Sequence, residues 1–238
     1  MDNPILEIKD LEKHYGRKKA LDGVSLTVYP GRIVGLMGPN GSGKSTMLKL
    51  IAGLLRPRRG EIKVCGCPIG IKSKALVSYL HDSNPLFAWM RAADAVAYYA
   101  DFFADFDTAR AYEMLDFMKL DKNQKVRAMS KGMAEKLNLT LTFARAAKLY
   151  LMDEPLGGID PLARQKIVST IIQTFRPDAA IMISTHLLND IENLFNDVVF
   201  IREGKVLLQG DAAELRAQYQ MNTEQLYIKL FSEAEEQA

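Results

Sequence analysis

The run Gly38-Pro39-Asn40-Gly41-Ser42-Gly43-Lys44-Ser45-Thr46 constrains this chain more than any other stretch. It matches the pattern G-x-x-x-x-G-K-[ST] completely. The flanks are right for that pattern. The apolar run Ile33-Val34-Gly35-Leu36-Met37 before it reads as a buried parallel strand. Met47, Leu48, Leu50, Ile51, Leu54 and Leu55 after it recur at helical spacing, and Pro57 sets the expected end of that helix. Gly38, Gly41 and Gly43 let the backbone turn tightly and aim N–H groups at phosphate oxygens. The helix behind them offers the positive end of its dipole. Lys44 supplies a point charge for the β and γ phosphates, the Ser45 hydroxyl suits Mg²⁺, and Thr46 reaches an α-phosphate oxygen. A glycine turn serving only to join strand to helix is the alternative.

A second acidic feature stands downstream. Leu149-Tyr150-Leu151-Met152 is an apolar strand that ends in Asp153 and Glu154. Charges at the end of a buried strand are costly unless something uses them. At the carboxyl end of a parallel sheet they face the ligand crevice. Asp153 there would help hold Mg²⁺, and Glu154 would orient or deprotonate a water that attacks the γ-phosphate. Solvated acids capping a strand end are the alternative.

The rest of the chain supplies the architecture. Ile5–Lys9 and Val24–Val28 alternate as strands, and Glu61–Val64 reads as another. From about Trp89 to Ala146 the sequence turns to Ala, Met, Leu and aromatics at helical spacing, with Asp94, Asp107 and Ser130 as candidate caps. Strands return at Leu149–Met152, Ala180–Ile183 and Val198–Ile201, the first two separated by a helix opening at Pro161. That order implies a mostly parallel sheet. Glu203-Gly204 turns a hairpin into Lys205–Gln209, and the tail from about Glu224 is expected to fray.

With 238 residues and a net charge of +2, the chain suits one large domain and gives no electrostatic case for nucleic acid. Arg56-Pro57-Arg58-Arg59 reads as a solvated turn. Cys65 and Cys67 lack a second pair for zinc and sit too close for an unstrained disulfide, which fits a reduced, cytosolic compartment. There is no signal-peptide pattern and no window of about 18 uninterrupted apolar residues, so the chain is not expected to span a membrane itself.

Further motifs narrow the class. Pro155-Leu156-Gly157-Gly158-Ile159-Asp160 follows the acidic pair, and Ile183-Ser184-Thr185-His186 puts a histidine just past a strand end. The order of phosphate loop, helical insertion, Ser130-Lys131-Gly132, acidic pair, Asp160 and His186 resembles the nucleotide-binding domain of ATP-binding cassette (ABC) transporters, from about Ile5 to Leu215. No N-K-x-D guanine-reading motif is present. The resemblance implies an α/β P-loop NTPase with a mostly parallel core sheet, an N-terminal antiparallel β subdomain and an inserted α-helical subdomain. Residues 1–220 would form the nucleotide-binding domain, with about 88–146 as the helical subdomain and 221–238 as a tail.

The resemblance also implies roles. Tyr15, before Gly16, would stack on adenine, or is simply a strand-end surface tyrosine. Gly38, Asn40, Gly41, Ser42, Gly43, Lys44, Ser45 and Thr46 would hold ATP, with Mg²⁺ on Ser45 and Asp153. Asp160 would speak to the other active site across a dimer, while also capping the helix at Pro161. His186 would contact the γ-phosphate. Two such subunits, identical or related, would sandwich ATP between one phosphate loop and the other's Ser130 and Gly132. A separate membrane permease would hold the pair at the cytoplasmic face of the membrane.

Two departures stand out. The usual signature L-S-G-G-Q is Met129-Ser130-Lys131-Gly132-Met133 here, keeping Ser130 and Gly132. The glutamine expected after a Tyr-apolar-Pro sequence is replaced by Asp82, in Tyr79-Leu80-His81-Asp82. Asp82 would reach Mg²⁺ through water, or it caps the turn at Ser83-Asn84-Pro85. Phe87, Trp89 and Met90 are candidates for a groove that receives a permease helix, or are core packing. The resemblance favours an exporter. A soluble ABC ATPase acting on ribosomes or nucleic acid is the second reading, and a non-hydrolysing regulatory subunit is the third.

Overall fold

The computed structural model describes residues 3–157, 160–185 and 191–232. The alternating N-terminal segments form a long antiparallel hairpin, β1 (Leu6–Tyr15) and β2 (Lys18–Val28), turning at Gly16. Next comes β3 (Ile33–Met37), buried at every position as an interior parallel strand should be. The glycine loop leads from it into α1 (Lys44–Ile51). This helix ends earlier than Pro57, correcting the periodicity. Gly53 adopts a left-handed φ of 69°, and the N–H of Leu54 turns back onto the Lys49 carbonyl. Leu54 is therefore exposed although it fits the helical spacing.

β4 (Arg59–Val64) pairs with β1, and the short β5 (Cys67–Pro68) pairs with β4. A single turn, α2 (Ile71–Ala75), leads to β6 (Val77–Leu80), a strand absent from the sequence reading. Three helices follow: α3 (Ala92–Phe102), α4 (Thr108–Phe117) and α5 (Lys131–Phe143). They share a small core of their own that includes Val96, Leu115, Leu137 and Leu141. Asp107 and Ser130 cap α4 and α5 by accepting the N–H groups of Arg110 and Met133. Asp94 instead reaches back from inside α3 to the N–H of Arg91.

The chain then returns to the main sheet with β7 (Leu149–Asp153), α6 (Pro161–Thr174), β8 (Ala180–Thr185), β9 (Asp197–Arg202) and β10 (Lys205–Asp211). The six-stranded order is β10-β9-β3-β8-β7-β6, parallel except for the β9–β10 hairpin. The four-stranded antiparallel sheet has the order β2-β1-β4-β5. Apolar side chains from both sheets and α1 make one core, and the other face of the parallel sheet makes a second. Arg145 ties the helical insert to β6. It is buried, pairs with Asp105 through two nitrogens and donates to the carbonyls of Val77 and Ala75.

The C-terminal stretch corrects the expectation of a fraying tail. α7 (Ala212–Tyr219) is capped by Asp211, and α8 (Thr223–Ser232) buries Leu226 and Phe231 in the second core. Leu226 and Leu230, and likewise Tyr227 and Phe231, are spaced four apart, and the stripe they form packs on this core. The acidic residues beyond Ser232 lie outside the described region. Leu226→Ala is expected to lower unfolding stability by about 3 kcal/mol, read from urea denaturation. An unchanged midpoint would mean that α8 does not belong to the core.

Candidate nucleotide and metal site

The carboxyl ends of β3 and β7 and the start of α1 meet at one edge of the parallel sheet. A cleft of about 390 Å³ opens there. Tyr15, Asn40, Gly41, Gly43, Lys44, Ser45, Thr46, Asp82 and Glu154 line it. Tyr15 is half exposed at the end of β1, with the Lys13 ammonium 5.5 Å from its ring centre. Gly38 and Gly43 are fixed by close approach. A Cβ on Gly38 would collide with the Ile201 carbonyl oxygen, and one on Gly43 would press on the Ala20 carbonyl oxygen. Gly43 also has a φ of 113°, a conformation glycine alone adopts easily.

Ser42 is buried, and its hydroxyl has no hydrogen-bond partner among the described residues. Lys44 is almost wholly enclosed. It donates to the Gly38 carbonyl at 2.7 Å and the Pro39 carbonyl at 3.2 Å, and lies 3.8 Å from Glu154 Oε1. Burial draws its pKa below the ordinary lysine value, while the Glu154 and Asp153 carboxylates push it back up.

Asp153 is fully buried at the end of β7. Its Oδ1 accepts the Ser45 hydroxyl at 2.9 Å and the Ser184 hydroxyl at 2.6 Å, and its Oδ2 accepts the Tyr79 hydroxyl at 3.3 Å. Burial, and then the charge of Asp153, raise the Tyr79 phenol well above its usual value, so it stays a donor at neutral pH. The next residue, Glu154, has a left-handed φ of 51°, which costs roughly 1–2 kcal/mol for a non-glycine residue. Its N–H is held at 3.1 Å by both the backbone carbonyl and the hydroxyl of Ser184. Sequence reasoning passed over Tyr79 and Ser184. Each is a hydroxyl in a mostly apolar strand beside a second hydroxyl residue, Ser78 or Thr185, so no sequence signal separates them.

Asp82 lines the cleft, and its carboxylate lies 2.6 Å from His81 Nδ1. The neighbouring turn is closed by Asn84, which accepts the N–H of Leu86. Across from this loop, Glu135 on α5 is pushed up to about 7, chiefly by burial and further by the Asp82 charge. The three apolar residues after the loop divide. Met90 is buried in the helical core, while Phe87 and Trp89 stack on each other at 5.9 Å and stay exposed.

Ser130, Gly132 and Asp160 do not line the cleft. Ser130 caps α5, and the Asp160 carbonyl accepts the N–H of Arg164 in the first turn of α6. His186, Gly158 and Ile159 fall outside the described residues.

Among the described residues no three His, Cys, Asp or Glu side chains cluster as a self-sufficient metal site. Ser45 and Asp153 instead offer adjoining oxygen donors beside a phosphate loop. That donor set fits Mg²⁺, which binds through one or two protein oxygens, substrate phosphates and water.

A phosphate loop at the carboxyl end of a parallel sheet, with an acidic strand two places away, defines a P-loop nucleoside triphosphatase fold. The comparisons with known proteins narrow it. The family model for ABC transporters matches residues 21–157. The chain is 32% identical over 218 residues to the ABC transporter ATP-binding protein YtrB of Bacillus subtilis, covering 90% of this chain and 75% of that one. It is 29% identical over 225 residues to the Nod factor export ATP-binding protein I of Paraburkholderia xenovorans, covering 91% and 74%. A solved ATP-binding subunit of an ABC transporter superposes with a TM-score of 0.87 at 28% identity, over 95% of this chain and 99% of that one. The chain belongs to the ABC transporter family, as an ATP-binding, ATP-hydrolysing subunit.

Because the Gly38 hydrogen faces a carbonyl oxygen, Gly38→Ala is expected to displace the loop and weaken ATP binding at least tenfold, or ~1.4 kcal/mol. Equilibrium titration with a fluorescent ATP analogue reads this directly. Undiminished affinity would mean that the close packing of Gly38 does not shape the phosphate loop.

Proposed function

We propose that this chain hydrolyses ATP to drive a separate membrane permease, in the direction of export. One observation carries the catalytic part. Ser45 of the phosphate loop is hydrogen-bonded to the buried Asp153, and Lys44 lies beside Glu154, all at one sheet edge. In this reading adenine stacks on Tyr15. The phosphates rest on the backbone N–H groups from Asn40 to Ser45, with Ser42 closing the loop, Lys44 across the β and γ positions and Thr46 at the α position. Ser45 and Asp153 hold Mg²⁺, and Asp82 reaches it through water. The ion, when bound, offsets the phosphate charge. Glu154 aligns a water with the γ-phosphorus and takes its proton as ADP departs. His186 steadies the γ-phosphate.

Ser130 and Gly132 sit away from the cleft of their own chain, and this supports a two-subunit site. A second ATPase subunit would close them over the γ-phosphate, and Asp160 would carry the signal across the interface. The exposed Phe87–Trp89 stack is the surface proposed to receive the permease. No helix among the described residues is long and apolar enough to cross a membrane. A permease partner would therefore hold the chain at the cytoplasmic membrane face. The export direction is supported by the family resemblance and by a relative named for export.

Glu154→Gln is expected to keep ATP binding and lower turnover roughly 100-fold or more. Wild-type turnover in that variant would remove Glu154 as the base. The same variant, incubated with ATP and solubilised membranes, is expected to recover a polytopic membrane protein by pull-down. Recovery of ribosomes instead would overturn the transport reading. Lys44→Ala is expected to lose at least tenfold in ATP affinity, again ~1.4 kcal/mol, by equilibrium titration. Unchanged affinity would exclude Lys44 from phosphate binding.

A further inference from the structure

Ser184 occupies a junction that the proposed chemistry leaves unexplained. β8 lies between β3, which feeds the phosphate loop, and β7, which ends in the acidic pair. The register sets Ser184 directly beside Asp153 on one side and beside Leu36 on the other. Its side chain is completely buried. The hydroxyl has one proton to donate and lone pairs to accept, and the structure uses both functions. It donates to Asp153 Oδ1 at 2.6 Å and accepts the Glu154 N–H at 3.1 Å. One hydroxyl thus touches both consecutive acidic residues, the first through its carboxylate and the second through its backbone.

The second contact matters because of Glu154's conformation. Its φ of 51° is disfavoured for a side chain of this kind, so something must hold it there. The Ser184 hydroxyl and carbonyl grip its N–H together. This grip fixes the direction in which the Glu154 side chain leaves the strand end. Tyr79 provides an internal contrast. It also donates to Asp153, at 3.3 Å, but no Tyr79–Glu154 hydrogen bond accompanies that contact.

We propose that Ser184 is a positioning residue for ATP hydrolysis, holding the backbone of Glu154 so that its carboxylate meets the attacking water. The inference rests on Glu154 being the base. Ser184 does not touch the nucleotide in this account. Its removal leaves the phosphate loop and Lys44 in place, takes one of three hydroxyl donors from Asp153, and leaves the Glu154 N–H on the Ser184 carbonyl alone. A misplaced base lowers kcat without weakening substrate binding.

The test compares purified Ser184→Ala, Tyr79→Phe and Ser184→Thr with the wild type. The readouts are steady-state ATPase, equilibrium affinity for a fluorescent ATP analogue without divalent metal, and thermal unfolding. Ser184→Ala is expected to lower kcat roughly tenfold to hundredfold, with KM and analogue affinity within about twofold. Tyr79→Phe, which takes a hydrogen bond from Asp153 alone, is expected to lose much less. Ser184→Thr keeps the hydroxyl and is expected to recover most of the rate.

Three results would overturn the proposal. Ser184→Ala could keep the wild-type kcat. It could lose analogue affinity in step with kcat. Tyr79→Phe could also lose as much kcat as Ser184→Ala, which would trace the effect to Asp153 rather than Glu154. Failure of the base assignment itself would appear separately, as turnover by Glu154→Gln.

Discussion

A buried carboxylate at the end of an interior strand governs this structure. Asp153 has no access to solvent, and three hydroxyls from three different elements converge on it. A charge so placed is unfavourable without those donors. Meeting the requirement draws together β6 through Tyr79, β8 through Ser184 and the phosphate loop through Ser45. The site and the sheet are thus held by the same hydrogen bonds. The β7 strand ends at Asp153, and Glu154, gripped by Ser184, turns out of the strand direction there.

The glycine loop is shaped from the opposite side. Gly38 packs on the end of β9, and Gly43 packs against β2, so the antiparallel sheet and the parallel sheet pinch the loop between them. A loop clamped in this way presents N–H groups in a fixed direction, which is what recognition of phosphate needs. The Lys44 ammonium lies on the loop's own carbonyls and beside Glu154, so its charge is held where phosphate oxygens would arrive.

Much of this was legible in the sequence because it rests on short-range pattern. The runs Ile33–Met37, Leu149–Met152 and Ala180–Ile183 are apolar at every position or nearly so, and at four or five residues each they are too short for buried helices and suit strands buried on both faces. The glycine loop is legible from its spacing and its flanking strand and helix, and the acidic pair from its place at the end of an apolar run. Other features were hidden because they depend on partners far along the chain. β6 spans only Val77–Leu80 and exists because β7 pairs with it. α8 is masked by its polar continuation, although Leu226, Tyr227, Leu230 and Phe231 form an apolar stripe along it. α1 was overextended because its periodicity runs on past the glycine that stops it. Ser184 could not be singled out, since its value comes from a register that places it opposite Asp153. Ser130 and Gly132, expected to act on the nucleotide of a second subunit, do not line the cleft of their own chain.

In the proposed site the buried Asp153 carboxylate, beside the Ser45 hydroxyl, would hold a divalent cation shared with nucleotide. Electron paramagnetic resonance of Mn²⁺, titrated into the protein with a non-hydrolysable ATP analogue, measures that directly. The account predicts nucleotide-dependent Mn²⁺ binding in the wild type, weakened at least tenfold, or ~1.4 kcal/mol, in a folded Asp153→Asn variant. Equal Mn²⁺ affinity in the two proteins would contradict it.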